Sequence, residues 1–171
     1  MTAATRKPAT DRVTLKRTFQ ATLEDVWDLW TTKEGIESWW GPDGFAVTVR
    51  ELDLRPGGEL RYAMTAVAPE TVAFMKKEGM PTTTELRITF TEVVPRRRLA
   101  YLHLADFVPG VAPYDVATIV ELAETGSGVH LTLTFDRMHD EEWTKRAVMG
   151  WESELGKLER ALSAAPRGAK P

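Results

Sequence analysis

The sequence predicts an α+β fold in which helices pack on one side of a curved antiparallel sheet. Three observations carry that expectation. The elements run strand, two short helices, six strands with one short helix inserted among them, and a long terminal helix; no β-α-β alternation or internal repeat appears; and the terminal helix bears one unbroken apolar stripe. A stripe of that length needs a broad apolar surface to lie on.

Val13, Leu15, Arg17 and Phe19 share one parity, with Thr14, Lys16, Thr18 and Gln20 between them, which is the period of a half-buried strand. Thr22 can then accept from the amide of Asp25 while Asp25 reaches back, a shortened capping box, and Glu24 and Asp25 suit the positive end of a helix. Leu23, Val26, Trp27 and Trp30 recur at three and four along that helix. A second helix begins near Thr32, turns Ile36, Trp39 and Trp40 inward, and stops at Gly41-Pro42. Two alternating stretches, 45–54 and 59–65, joined through Arg55-Pro56-Gly57-Gly58, read as a hairpin. From 67 to 83 the alternation breaks, and Pro69 at a helix start with Gly79 at its exit marks a short amphipathic helix. Four further strands are expected over 85–94, 98–104, 114–124 and 128–136, separated by turns at Pro95-Arg96-Arg97, Pro109 to Pro113 and Glu124 to Gly128. The last helix runs from about Asp140 to Ser163 with Ala147, Val148, Trp151, Leu155, Leu158 and Leu162 in line.

The 171 residues, 43% hydrophobic and 27% charged, fit one domain over 12–163, flanked by a flexible arm at 1–11 and a flexible tail at 164–171. A net charge of -3 with both signs interspersed offers no basic stripe for phosphates, so no nucleic-acid partner is expected. No stretch approaches the roughly 20 apolar residues of a membrane span, and no apolar segment follows Arg6 and Lys7 as in a secretory signal. With no cysteine as well, a cytoplasmic location is expected.

No catalytic motif stands out. Of the three histidines, His130 shares parity with Thr132 and Thr134 and is expected to face solvent, and His139 falls just before the last helix, in a cap or surface position. Leu99, Tyr101 and His103 occupy one face of their strand and Leu102 and Leu104 the other, and alternation leaves both orientations open. Were the Tyr101 face inward, His103 would sit among apolar walls, where a pKa is readily shifted. No histidine–histidine or histidine–carboxylate pair has the spacing of a metal ligand set, so neither a metal nor another cofactor is expected. Arg17 has inward parity: either its stem packs inward while the guanidinium pairs with a carboxylate of the chain or reaches water at the sheet margin, or it anchors an acidic group on a ligand.

Several blocks in order resemble one family: Arg17-Thr18-Phe19 through Val26-Trp27, then Trp39-Trp40-Gly41-Pro42, then Asp53 through Gly58, then Val93-Val94-Pro95 with Arg98-Leu99, and last Gly150-Trp151-Glu152 through Leu155 and Leu158. Together they resemble the activator of heat-shock-protein-90 ATPase homologue family, within the wider START and polyketide-cyclase superfamily. The resemblance implies a helix-grip fold: a seven-stranded antiparallel sheet around the terminal helix, with an elongated cavity between them. It further implies Trp30, Trp39, Trp40, Trp151 and Leu155 as helical cavity walls. The inward parity of the strands adds Phe45, Tyr62, Met64, Leu86, Ile88, Phe90, Tyr114, Val116 and Thr118, while Arg17, Tyr101 and His103 are the remaining polar candidates. Such a lining fits a hydrophobic small molecule. The family also contains a co-chaperone domain acting on heat-shock protein 90, and the superfamily contains cyclases and hydrolases, so those readings stand as alternatives. The insertion at 67–83 departs from the simplest family pattern, and its Phe74, Met75 and Met80 read as a lid or as a homodimer contact.

Overall fold

The computed structural model describes residues 12–106 and 110–164. Its elements are β1 (Arg12–Phe19), α1 (Leu23–Thr31), α2 (Lys33–Trp39), β2 (Phe45–Leu52), β3 (Glu59–Ala66), α3 (Pro69–Lys77), β4 (Thr83–Val94), β5 (Arg98–Ala105), β6 (Tyr114–Glu124), β7 (Val129–Asp136) and α4 (Glu141–Ala164). The strands form one antiparallel sheet in the order β1-β7-β6-β5-β4-β3-β2. Because β1 and β2 are opposite edges, the α1–α2 pair between them in sequence must cross the whole width of the sheet. Together with α4 it covers one face, which is the helix-grip architecture the sequence led us to expect.

Alternation decides which face that is. On β7, Val129, Leu131, Leu133 and Phe135 are buried while His130, Thr132 and Thr134 are only partly covered on the other side. The same parity continues through Ile88 and Phe90 on β4 and Leu99 and Tyr101 on β5, and the stripe of α4 meets it with Leu155, Leu158 and Leu162. Register shifts between Val49 and Glu51 and between Phe90 and Glu92 interrupt the ladders, and such bulges bend a sheet around what it encloses.

Asp140 accepts from the Trp143 amide at 2.8 Å, so it caps α4, and the helix runs on through Ala164, where the tail was expected to begin. The capping box of α1 is half formed. Thr22 accepts from the Asp25 amide at 3.0 Å, but the Oδ2 of Asp25 is buried without a hydrogen bond, because a side chain one methylene shorter than glutamate does not complete the reciprocal contact. The arm at 1–11, the tail from 165 onward and Pro109 of the loop before β6 lie outside the described residues.

The β2–β3 turn is docked on β4: Gly57 donates to the Phe90 carbonyl at 2.8 Å and Phe90 to that of Gly58 at 2.9 Å. A Cβ on Gly58 would stand 2.1 Å from the Asp53 carbonyl oxygen, in backbone that cannot give way without moving the turn. Gly58→Ala is therefore expected to cost about 1–3 kcal/mol in urea unfolding, as overpacking does. An unchanged midpoint would refute this turn geometry.

Candidate functional site

The site begins at the corner between α1 and α2. Thr32 ends one helix, its amide bonding to the Asp28 carbonyl, and caps the next, its hydroxyl accepting from Gly35 at 3.0 Å. A side chain at Gly35 would come within 2.2 Å of that same Asp28 carbonyl, so glycine is what lets the helices turn so sharply. The corner presses the Trp30 and Trp39 rings edge to face, 4.6 Å between centroids, and Trp39 Nε1 donates to the Leu29 carbonyl at 2.7 Å. Trp39 thus serves the corner itself. Trp40 follows in extended backbone, which turns its ring away from the corner toward the sheet.

There Trp40 meets Tyr62 of β3 at 5.4 Å and Tyr101 of β5 at 6.2 Å. Cross-strand register sets up the rest of the wall: Tyr62 opposite Leu86, Ile88 opposite His103, Phe90 opposite Tyr101, and Tyr101 opposite Thr118. The Tyr101 face of β5 is therefore the inner one. His103 lies on it, and burial lowers its pKa. From the other side α4 contributes Trp151, stacked on Trp30 at 6.1 Å, and Leu155 beneath it in the core. In this state the aromatic side chains close on one another in the space between sheet and helix. Trp151 is half-buried and forms the outer edge of the set.

One carboxyl enters this set. Glu154 belongs to the α4 face that clamps residues 40–45: Gly41 donates to Glu154 at 3.3 Å, Asp43 to Ser153 Oγ at 3.0 Å, Lys157 Nζ to the Gly41 carbonyl at 2.9 Å, and Arg160 pairs with Asp43 at 3.1 Å. Burial lifts the Glu154 pKa from 4.5 to about 7, against the opposing pull of the Gly41 amide and the Lys157 ammonium. Burial likewise raises Tyr62 and Tyr101, and Glu154 adds to both shifts, so the three groups share one low-dielectric region. Two donors there have no acceptor: the indole Nε1 atoms of Trp30 and Trp40 are buried without hydrogen-bond partners.

The structure therefore brings together Trp30, Trp39, Trp40, Tyr62, Phe90, Tyr101 and Trp151, with Met64, Leu86, Ile88, Thr118 and Leu155 around them. Others fall elsewhere. Tyr114 and Val116 belong to a separate cluster with Ala105 and Met138, where the Tyr114 hydroxyl lies 2.8 Å from Nδ1 of His139. Phe45 is half-buried at the start of β2, and its carbonyl lies 3.4 Å from Lys157 Nζ. The acidic group that Arg17 meets is the chain's own Glu152, across from β1 on α4. Met149 points outward with 70% of its surface exposed. Phe74 on α3 and Met80 in the connection after it remain exposed, and the amides of Val67 and Ala68 tie the inserted segment to the Gly44 carbonyl beside the clamped loop.

Glu154 was not singled out by sequence reasoning, although a signal existed. It lies three residues after Trp151 and four before Leu158, so a carboxylate sits on the buried stripe of α4. Two surface hollows lie away from the cluster. One, about 440 Å³, is bordered by Arg97, Arg98, Glu121 and His130 on the outer sheet face; the other, about 370 Å³, lies against Val13, Thr144 and Val148. Both are open to solvent and neither gathers the buried polar groups, so we place the site by chemistry. Among the described residues no helix is long and apolar enough to cross a membrane, and no three His, Asp or Glu are grouped to hold a metal ion.

Residues 20–163 match the family model described as Activator of Hsp90 ATPase homolog 1-like protein. Among solved structures, the chain is similar to protein CV1439 of Chromobacterium violaceum, with 23% identity, a TM-score of 0.75 and coverage of 91% of this chain and 99% of that one. Protein NE0264 of Nitrosomonas europaea is 25% identical with a TM-score of 0.68, covering 93% and 98%. The AHSA1-like protein of Aeromonas hydrophila is 22% identical with a TM-score of 0.67, covering 90% and 92%. No curated protein sequence matches.

Proposed function

The chain belongs to the activator of Hsp90 ATPase homolog 1-like family, and within it we propose that the domain binds a small, mainly apolar molecule among the aromatic rings between sheet and α4. The observation that carries this reading is the pair of unpartnered indole donors at Trp30 and Trp40, set beside the half-buried Glu154 carboxyl in a mainly apolar core. A core built only for stability leaves such groups unmade at a cost of about 1–3 kcal/mol each. A ligand that separates the rings and supplies the missing partners recovers that cost. Access runs past Trp151, whose ring is the half-buried edge of the cluster.

Titration with N-phenyl-1-naphthylamine, a neutral lipophilic fluorophore, tests the reading. The protein is expected to show saturable, single-site enhancement. The double variant Tyr62→Ala with Trp151→Ala, which removes two of the ring faces, is expected to bind about tenfold more weakly. Unchanged uptake by a folded double variant would overturn the assignment.

A further inference from the structure

We infer that the polar end of this site recognises an uncharged oxygen acceptor, so that the ligand class is an apolar ring system bearing a carbonyl group. The inference rests on the binding reading above and adds the chemistry of the ligand's head. It starts from the two indoles. Trp30 is 1% exposed and Trp40 6% exposed, and neither Nε1 has an acceptor. An indole nitrogen only donates, so the partner it lacks can only be an acceptor. The two rings are 6.2 Å apart between centroids, within the span of one fused-ring molecule. They share the region with the hydroxyls of Tyr62 and Tyr101, both of which keep their protons because burial and Glu154 disfavour phenolate there. The enclosure is thus rich in donors.

The charge of the head follows from the groups around it. An anionic head would be desolvated beside Glu154, whose carboxyl the same burial already resists ionising. A cationic head would find Glu154 already engaged by the Gly41 amide and facing the Lys157 ammonium, and would meet the N–H edges of two indoles with like polarity. A neutral carbonyl oxygen has two lone pairs and no charge to desolvate. It satisfies the donors without either penalty.

Four naphthalenes of similar size separate the possibilities on the wild-type protein: 2-acetylnaphthalene, 2-ethylnaphthalene, 2-naphthoate and 2-(aminomethyl)naphthalene. The ketone is expected to bind about tenfold more tightly than the hydrocarbon, because the hydrocarbon leaves the donors unmade. In a ¹H–¹⁵N spectrum the Nε1 signals of Trp30 and Trp40 are expected to move downfield with the ketone and not with the hydrocarbon. Trp30→Phe and Trp40→Phe assign those signals, and each is expected to narrow the ketone preference while keeping an aromatic ring in place. Equal affinity for ketone and hydrocarbon would overturn the inference and leave the binding reading standing. So would tighter binding of the carboxylate or the ammonium, or stationary indole signals with the ketone bound. Binding of none of the four would overturn both.

Discussion

Replacing Glu154 with glutamine is expected to leave stability nearly unchanged at pH 4 and to raise it by roughly 2–3 kcal/mol above pH 7. The sign follows from where the proton resides. In the fold the Glu154 carboxyl keeps its proton up to about pH 7, whereas in the unfolded chain it ionises near its ordinary 4.5. Between those values the unfolded chain releases a proton that the folded one retains, so deprotonation favours unfolding and stability falls as pH rises through that window. Below it both states hold the proton and glutamine is a close mimic; above it only the wild type buries a charge. Glutamine still accepts from the Gly41 amide, and Lys157 keeps its three carbonyl partners, so the variant removes little besides the ionisation. Urea unfolding of both proteins at pH 4, 5, 6, 7 and 8 checks this. Parallel pH profiles would show that Glu154 ionises freely in the fold and does not share the tyrosines' environment.

A second large effect is expected at the α1–α2 corner. Trp39→Ala is expected to lower stability by about 3–5 kcal/mol, because it opens a cavity in a fully buried position, removes an edge-to-face partner of Trp30 and leaves the Leu29 carbonyl without its 2.7 Å hydrogen bond. Trp39→Phe keeps much of the ring and loses the donor, and should fall between. The two adjacent tryptophans are thereby separated in role. Trp39 spends its polar atom on the fold, and Trp40 keeps its own unspent. A loss below about 1.5 kcal/mol for the alanine variant, the cost of a volume-conserving exchange, would contradict the corner as described.

The fold was legible in the sequence because its signals are local. Alternation in β7, the Thr22 and Thr32 caps, the proline at the head of α3 and the apolar stripe of α4 each depend on residues within a turn or two of one another. The site was legible only in part. Parity named Tyr62 and Phe90, and the family resemblance named Trp151, but parity also named Tyr114 and Val116, which face the same side of the sheet and pack in another cluster. Parity fixes a face; it does not fix a position along a strand relative to the helix that covers it. For the same reason Arg17 had two readings until α4 placed Glu152 against it.

By itself, then, the sequence determined the order and kind of the elements, the inner face of most strands and the tryptophan-rich corner, since those follow from spacing and steric rules within short segments. Tertiary structure alone decided that the Tyr101 face of β5 is the inner one, that Trp39 and Trp40 differ in the fate of their indole nitrogens, and that the carboxyl of Glu154 lies beside Tyr62 and Tyr101. The physical reason is that desolvation and hydrogen-bond satisfaction belong to groups gathered from α1, α2, β3, β5 and α4 at once, and no single stretch of chain contains them.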